Sequence, residues 1–164
     1  MQFLKGITFA PFCPKGSFLT KEAFESLDHL TEGTGANFIT LVPNALQETP
    51  QSEEIDFTSD ATISDEELVS MIDYIHKKGL LVALKPTVNC KNGTWRAHIN
   101  FFDKDVPCEP KWGNWFRSYT EFQLHFASLI CNFKHFMQRK PAVKCLSPAV
   151  KWFRPTAEAR NGVS

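Results

Sequence analysis

The run LLVALKPTV at residues 80 to 88 shows no alternation of apolar and polar residues until Lys85. A strand with one solvated face alternates, so an unbroken apolar run of this length reads as a strand buried on both faces in a helix-covered parallel sheet. Two earlier runs match it: FLKGITFA at residues 3 to 10, stopped by Pro11, and NFITLVPN at residues 37 to 44. Parallel neighbours need long crossovers, and the intervening segments carry helical patterns. Ala23, Phe24, Leu27 and Leu30 recur at helical spacing, with Thr20 as cap and Gly33 and Gly35 marking the end. Ser64 and Glu67 read as a capping box, Ile63 and Leu68 as a staple across it, and Leu68, Met71, Ile72 and Ile75 as one apolar stripe that Gly79 closes. Residues 45 to 62, ALQETPQSEEIDFTSDAT, read as a polar loop between the second strand and this helix.

Strand, helix, strand, helix, strand is the order of an α/β fold with parallel strands, and 164 residues suffice for one domain. Of the two common architectures, the doubly wound sheet often carries a glycine-rich phosphate loop after its first strand, whereas FAPFCPKGSF offers only Gly16. A (β/α)8 barrel places functional side chains where strands end and on the long loops beyond. Polar residues stand at those places here: Asn44 after the second run, then Lys85 and Asn89 after the third.

The segment from residue 85 to 122 is the most informative for function. It sets Trp95, Trp112 and Trp115 among Lys85, Asn89, Arg96 and Asn114. A sugar ring asks for such a mixture, since its C–H face packs on an aromatic plane while its hydroxyls require hydrogen-bond partners. Three tryptophans used as ordinary core satisfy the composition equally well.

Longer matches narrow this choice. KGITFAPF, TGANFITLV, QETPQSEEI, LVALKPTVNCKNGTWRAHINFFD and WFRSYTEFQLHFA resemble, in that order, glycoside hydrolase family 113, the (β/α)8 endo-β-mannanases. The resemblance spans residues 5 to about 129, and its long KPTVNCKNGTWRAHI segment is the specific part. It implies an incomplete (β/α)8 barrel of about three β/α units over residues 1–129. It also implies a retaining hydrolase of β-1,4-mannan or a related β-linked oligosaccharide or polysaccharide, with an acid/base and a nucleophilic carboxyl group about 5 Å apart. By motif match, Lys85, Asn89, Trp95 and Arg96 line the sugar cleft, with Asn44 and Gln47 reaching it from the second loop. The family's acid/base Glu ends the fourth strand and its nucleophile ends a much later one. No Glu of this chain matches either place, so the expectation is no catalytic residue and an inactive fragment.

Residues 130–164 break the pattern. They carry seven Lys and Arg against one acid, whereas residues 1 to 129 carry eleven against seventeen. In RKPAVKCLSPAVKWFRP the tetrapeptide PAVK appears twice where the family continues with a strand ending in GCEM. Pro-Ala-Val-Lys-Cys written CCG GCT GTG AAA TGT becomes Gly-Cys-Glu-Met when read from its third base, and both copies convert. Residues 137 to 155 reread in this way permit AEKTGCEMFIAGCEMVQT. The tail therefore reads as irregular and out of frame.

Other classes find little support. A basic tail suggests nucleic acid or membrane, but this one mixes Phe, Trp, Cys and Pro with its charges, and neither partner is expected. No leader or spanning segment is recognisable, which points to a cytoplasmic protein. Cys13, Cys90, Cys108, Cys131 and Cys145 are scattered without CxxC pairing and read as reduced thiols. Neither these nor His76 and His98 have zinc-like spacing, so no metal or other cofactor is expected. The helical glutamates, Glu67 among them, read as solvated. Two further functions stay open: a non-catalytic carbohydrate-binding module built around Trp95, and an interaction protein using its basic tail.

Overall fold

In the computed structural model the described residues are 3–100, 112–136 and 143–145, with side chains described for 3–100 and 113–130. The chain runs through β1 (Gly6–Phe9), α1 (Lys21–Thr34), β2 (Phe38–Leu41), β3 (Asn44–Gln47), α2 (Asp65–Lys77), β4 (Leu81–Leu84), β5 (Thr87–Cys90), α3 (Trp112–Phe136) and β6 (Val143–Cys145). Strands β1, β2, β4 and β6 form a parallel sheet in that order, and β3 pairs with β5 in a second parallel ladder. This is the α/β arrangement with parallel strands that the apolar runs imply.

The second and third runs each divide into two strands. Phe38 lies opposite Leu81 and Asn44 opposite Thr87, an offset of 43 residues in both ladders. The same offset sets Pro43 against Pro86. A proline nitrogen has no hydrogen to donate, so pairing lapses at that rung. It resumes without a slip: the N–H groups of Lys85, Thr87 and Lys91 donate to the carbonyls of Leu41, Pro43 and Gln47 at 2.9, 2.9 and 2.8 Å. The faces of the two ladders are therefore continuous. This also corrects the reading of residues 45 to 62 as loop, since Ala45, Leu46 and Gln47 belong to β3 and only the following residues connect to α2.

One face holds the core. Ile39, Leu41 and Ala45 from the second segment, with Val82, Leu84 and Val88 from the third, share a parity and are all buried. They join Leu27 of α1, Leu68, Met71, Ile72 and Ile75 of α2, and Phe122, Phe126 and Ile130 of α3 in one cluster. The opposite parity carries the buried apolar Val42 and Ala83 and, toward and beyond the strand ends, Thr40, Asn44, Lys85, Thr87 and Asn89. Helix α3 starts at Trp112, inside the segment from residue 85 to 122, and runs past residue 129 to Phe136. Val143–Cys145 pair along β4, Val82 opposite Val143 and Leu84 opposite Cys145. The rest of the tail, both PAVK copies in large part included, lies outside the described residues.

The helix signals act as their chemistry suggests. The Thr20 hydroxyl accepts the Ala23 N–H at 3.2 Å, and Gly35 closes α1 at φ 62°, a left-handed conformation that favours glycine. In the α2 box the Ser64 hydroxyl accepts the Glu67 N–H and one Glu67 oxygen accepts the Ser64 N–H at 2.8 Å. Glu67 is nevertheless not solvated: it is 1% exposed, and its other oxygen accepts the Phe18 N–H at 3.0 Å. The carboxylate thus ties the loop after β1 to the start of α2.

Candidate functional site

The polar face gathers at the carboxyl ends of the strands. Asn44 opens β3 and Asn89 lies in β5, two rungs apart on the same side of the ladder. The Asn89 amide N–H donates to Asn44 Oδ1 at 2.7 Å, and Asn89 Oδ1 accepts from Arg96 Nη1 at 3.2 Å. Asn44, Asn89 and Arg96 therefore form one hydrogen-bonded chain from the ladder into the loop after it. An amide offers two donors and an acceptor with two lone pairs, and a guanidinium five donors, so the chain orients these groups while leaving capacity for a ligand. Lys85 is exposed on the same parity of the third segment.

Trp95 stands beside Arg96 at the start of a short helical turn, Arg96–His98. It is 69% exposed, with its ring nearly perpendicular to that of His98 and the centres 6.0 Å apart. An indole this open contributes little to a core and presents a flat apolar surface next to fixed polar groups.

Phe12, which sequence reasoning passed over, joins the site from the loop after β1. The Arg96 guanidinium lies 5.9 Å from the centre of its ring, within cation–π range. Phe12 is 47% exposed, and its φ of 44° lies in the left-handed region. Such a backbone costs a residue with a Cβ about 1–2 kcal/mol. Its signal in the sequence is an aromatic residue on the loop after a barrel-type strand.

Gln47 goes elsewhere. It is three residues from Asn44, so alternation turns it to the opposite face, where it is 1% exposed. Its oxygen accepts the Trp115 indole N–H at 2.9 Å and its amide donates to the Thr49 carbonyl at 2.7 Å. Trp115 itself lies on α3 and stacks on Tyr119, with ring centres 5.0 Å apart and planes 11° from parallel. Gln47 and Trp115 thus fix α3 to the back of the ladder, and the structure does not bring them to the polar face.

Glu48 and Asp56, in the segment after β3, are engaged with a cation. Lys91 lies 2.8 Å from Glu48 and 3.6 Å from Asp56. Burial alone would raise the Asp56 carboxyl, but hydrogen bonds from the Ser59 side chain and the Thr58 and Ser59 backbone, with the Lys91 charge, hold it below the usual range. A general acid needs the reverse, a carboxyl kept protonated near neutrality. Among the described residues no three His, Cys, Asp or Glu side chains converge to hold a metal ion. No described helix is long and apolar enough to cross a membrane.

Comparison with known proteins adds an independent line. The model of the family described as Glycoside Hydrolase Family 113 matches residues 7–139. A solved GH113 beta-1,4-mannanase is 50% identical, with a TM-score of 0.72 over 77% of this chain and 41% of its own. A GH113 beta-mannanase, AaManA from Alicyclobacillus acidocaldarius in complex with ManMIm, is 38% identical, with a TM-score of 0.70 over 79% of this chain and 41% of its own. The chain thus spans about two fifths of the length of these solved structures. No curated relative matches it.

Proposed function

The chain belongs to glycoside hydrolase family 113, and from that premise we propose that it forms the first three β/α units of a retaining β-1,4-mannanase barrel and supplies one wall of the sugar cleft. The observation that carries the proposal is the hydrogen-bonded chain Asn44–Asn89–Arg96 beside the exposed Trp95. The amides and the guanidinium meet sugar hydroxyls, Lys85 adds a cation on the same face, and the indole takes a C–H face. The mannanase neighbours, one of them bound to ManMIm, support a β-linked mannooligosaccharide as the ligand.

Hydrolysis is assigned to carboxyl groups other than those described. Retaining cleavage needs a protonated acid and a nucleophile about 5 Å apart across one glycosidic bond. Glu48 and Asp56 instead converge on a lysine, and Asp56 is held ionised. The proposal is therefore a chain that binds mannan without cleaving it, with residues 1–129 as the family portion. The tail from residue 130 is the out-of-frame counterpart of the fourth-strand region, and the family match as far as residue 139 is compatible with a change of frame near its end.

Isothermal titration of the purified chain with mannohexaose tests the binding half. Asn89→Ala breaks both links of the chain and should weaken affinity about tenfold, the equivalent of one well-made hydrogen bond. Affinity indifferent to Asn89→Ala and Arg96→Ala would reject this wall as the site. Release of reducing sugar from mannan, above the level of a mock purification, would reject the absence of cleavage.

A further inference from the structure

Phe12 combines three properties that packing alone does not explain. Its backbone is left-handed at φ 44°, which glycine would adopt without strain. The residue is 47% exposed and lies outside the buried core cluster, so apolar burial offsets little of that strain. Its neighbour across the loop is the guanidinium of Arg96, which is itself held by Asn89. Strained backbones cluster at active sites and ligand clamps, so an exposed strained residue beside the polar face is a candidate functional position.

We infer that Phe12 is a sugar-stacking residue, an aromatic platform beside Arg96 additional to Trp95, and that it fixes the position of a neighbouring mannosyl ring. The inference rests on the mannan-binding reading of the polar face and extends it to the loop after β1. Arg96 lies over the ring at 5.9 Å while the residue stays 47% exposed, and the proposal gives the C–H face of a pyranose the remaining open surface. The guanidinium donates to hydroxyls along the rim, so the two residues act together on one sugar unit. The left-handed backbone holds the loop in the conformation that keeps the ring beside Arg96. Glu67 supports the same loop further on, by accepting the Phe18 N–H at 3.0 Å.

The strain makes the test discriminating, because removing the ring and relaxing the backbone have opposite consequences. Phe12→Gly should leave the thermal midpoint unchanged or raise it, since glycine accepts the positive φ. The same variant should weaken mannohexaose binding about tenfold through loss of the stacked ring. Phe12→Tyr, which keeps the aromatic face, should bind within about twofold of the parent, and Phe12→Leu should resemble the glycine variant. Parent-like affinity in Phe12→Gly, with the parent itself binding mannohexaose, would overturn this inference alone. A loss of affinity accompanied by a lowered thermal midpoint would also overturn it, by making Phe12 a packing residue. Failure of the parent chain to bind at all would remove the mannan-binding reading and this assignment with it.

Discussion

Glu67→Gln separates a buried structural carboxylate from the solvated one that its helix position suggests. Each Glu67 oxygen accepts one backbone N–H, Phe18 at 3.0 Å and Ser64 at 2.8 Å. A glutamine retains a single oxygen, so its NH2 must face one of these N–H groups and leave it unpaired in a site that is 1% exposed. An unsatisfied buried donor costs about 1–3 kcal/mol, and loss of the negative charge at the start of α2 adds about 0.3–1 kcal/mol. The sum is about 1–4 kcal/mol, or a fall of about 3–16 °C in thermal midpoint for a domain of this size. Burial pushes the Glu67 carboxyl up, but the backbone and Ser64 hydrogen bonds outweigh it and hold the group below its ordinary range. A depressed folded value means that the stabilisation is complete above the unfolded pKa and disappears as pH falls through the folded one. Thermal unfolding followed by circular dichroism should therefore show a large gap between parent and variant at neutral pH, closing well below about pH 4. A gap under about 0.5 kcal/mol at neutral pH, typical of an ordinary surface change, would refute the reasoning. So would a gap of the same size in acid.

Trp115→Phe should cost about 1–3 kcal/mol, because Gln47 Oε1 is buried and loses its donor, as read from a denaturant midpoint. The same variant should leave mannohexaose affinity unchanged, since the pair lies behind the ladder; a matching loss of affinity would contradict the assignment of faces. Asp28 Oδ1 forms an ion pair with the Lys78 ammonium at 2.7 Å and its other oxygen accepts the Tyr74 hydroxyl at 2.8 Å, and these contacts overcome the effect of burial to hold its carboxyl low. That contribution is present above the ordinary carboxylate range and lost in acid, so Asp28→Asn should destabilise the chain at neutral pH and flatten the acid limb of a stability profile. An acid limb identical to the parent's would show that the cluster is not linked to folding.

Much of this architecture was legible because its signals are local. The capping box at Ser64 and Glu67, the cap at Thr20 and the unbroken apolar runs all depend on neighbours in sequence, and they mark α1, α2, β2 and β4 closely. What was hidden depends on partners in space. The segment NALQ looks like loop because one of its faces is the polar wall, and only the ladder to TVNC reveals β3. The motif match groups Gln47 with Asn44 on one loop, whereas the three-residue separation within one strand places them on opposite faces. Glu67 was read as solvated because a helix pattern does not disclose that a distant backbone N–H, from Phe18, needs an acceptor. Phe12 had no sequence signal beyond its place after a strand; its significance comes from a backbone angle and from Arg96, 84 positions away in the chain.

The central claim, that the polar face at the strand ends binds β-mannan while the opposite face is core, is tested most directly by following the tryptophan indoles. In a proton–nitrogen correlation spectrum, with indole signals assigned by single substitutions, mannohexaose should shift Trp95 and the side-chain amides of Asn44 and Asn89. The Trp115 indole, bound to Gln47 on the other face, should stay in place. Saturating shifts confined to Trp115, or none at Trp95 and Asn89 at millimolar sugar, would contradict the account.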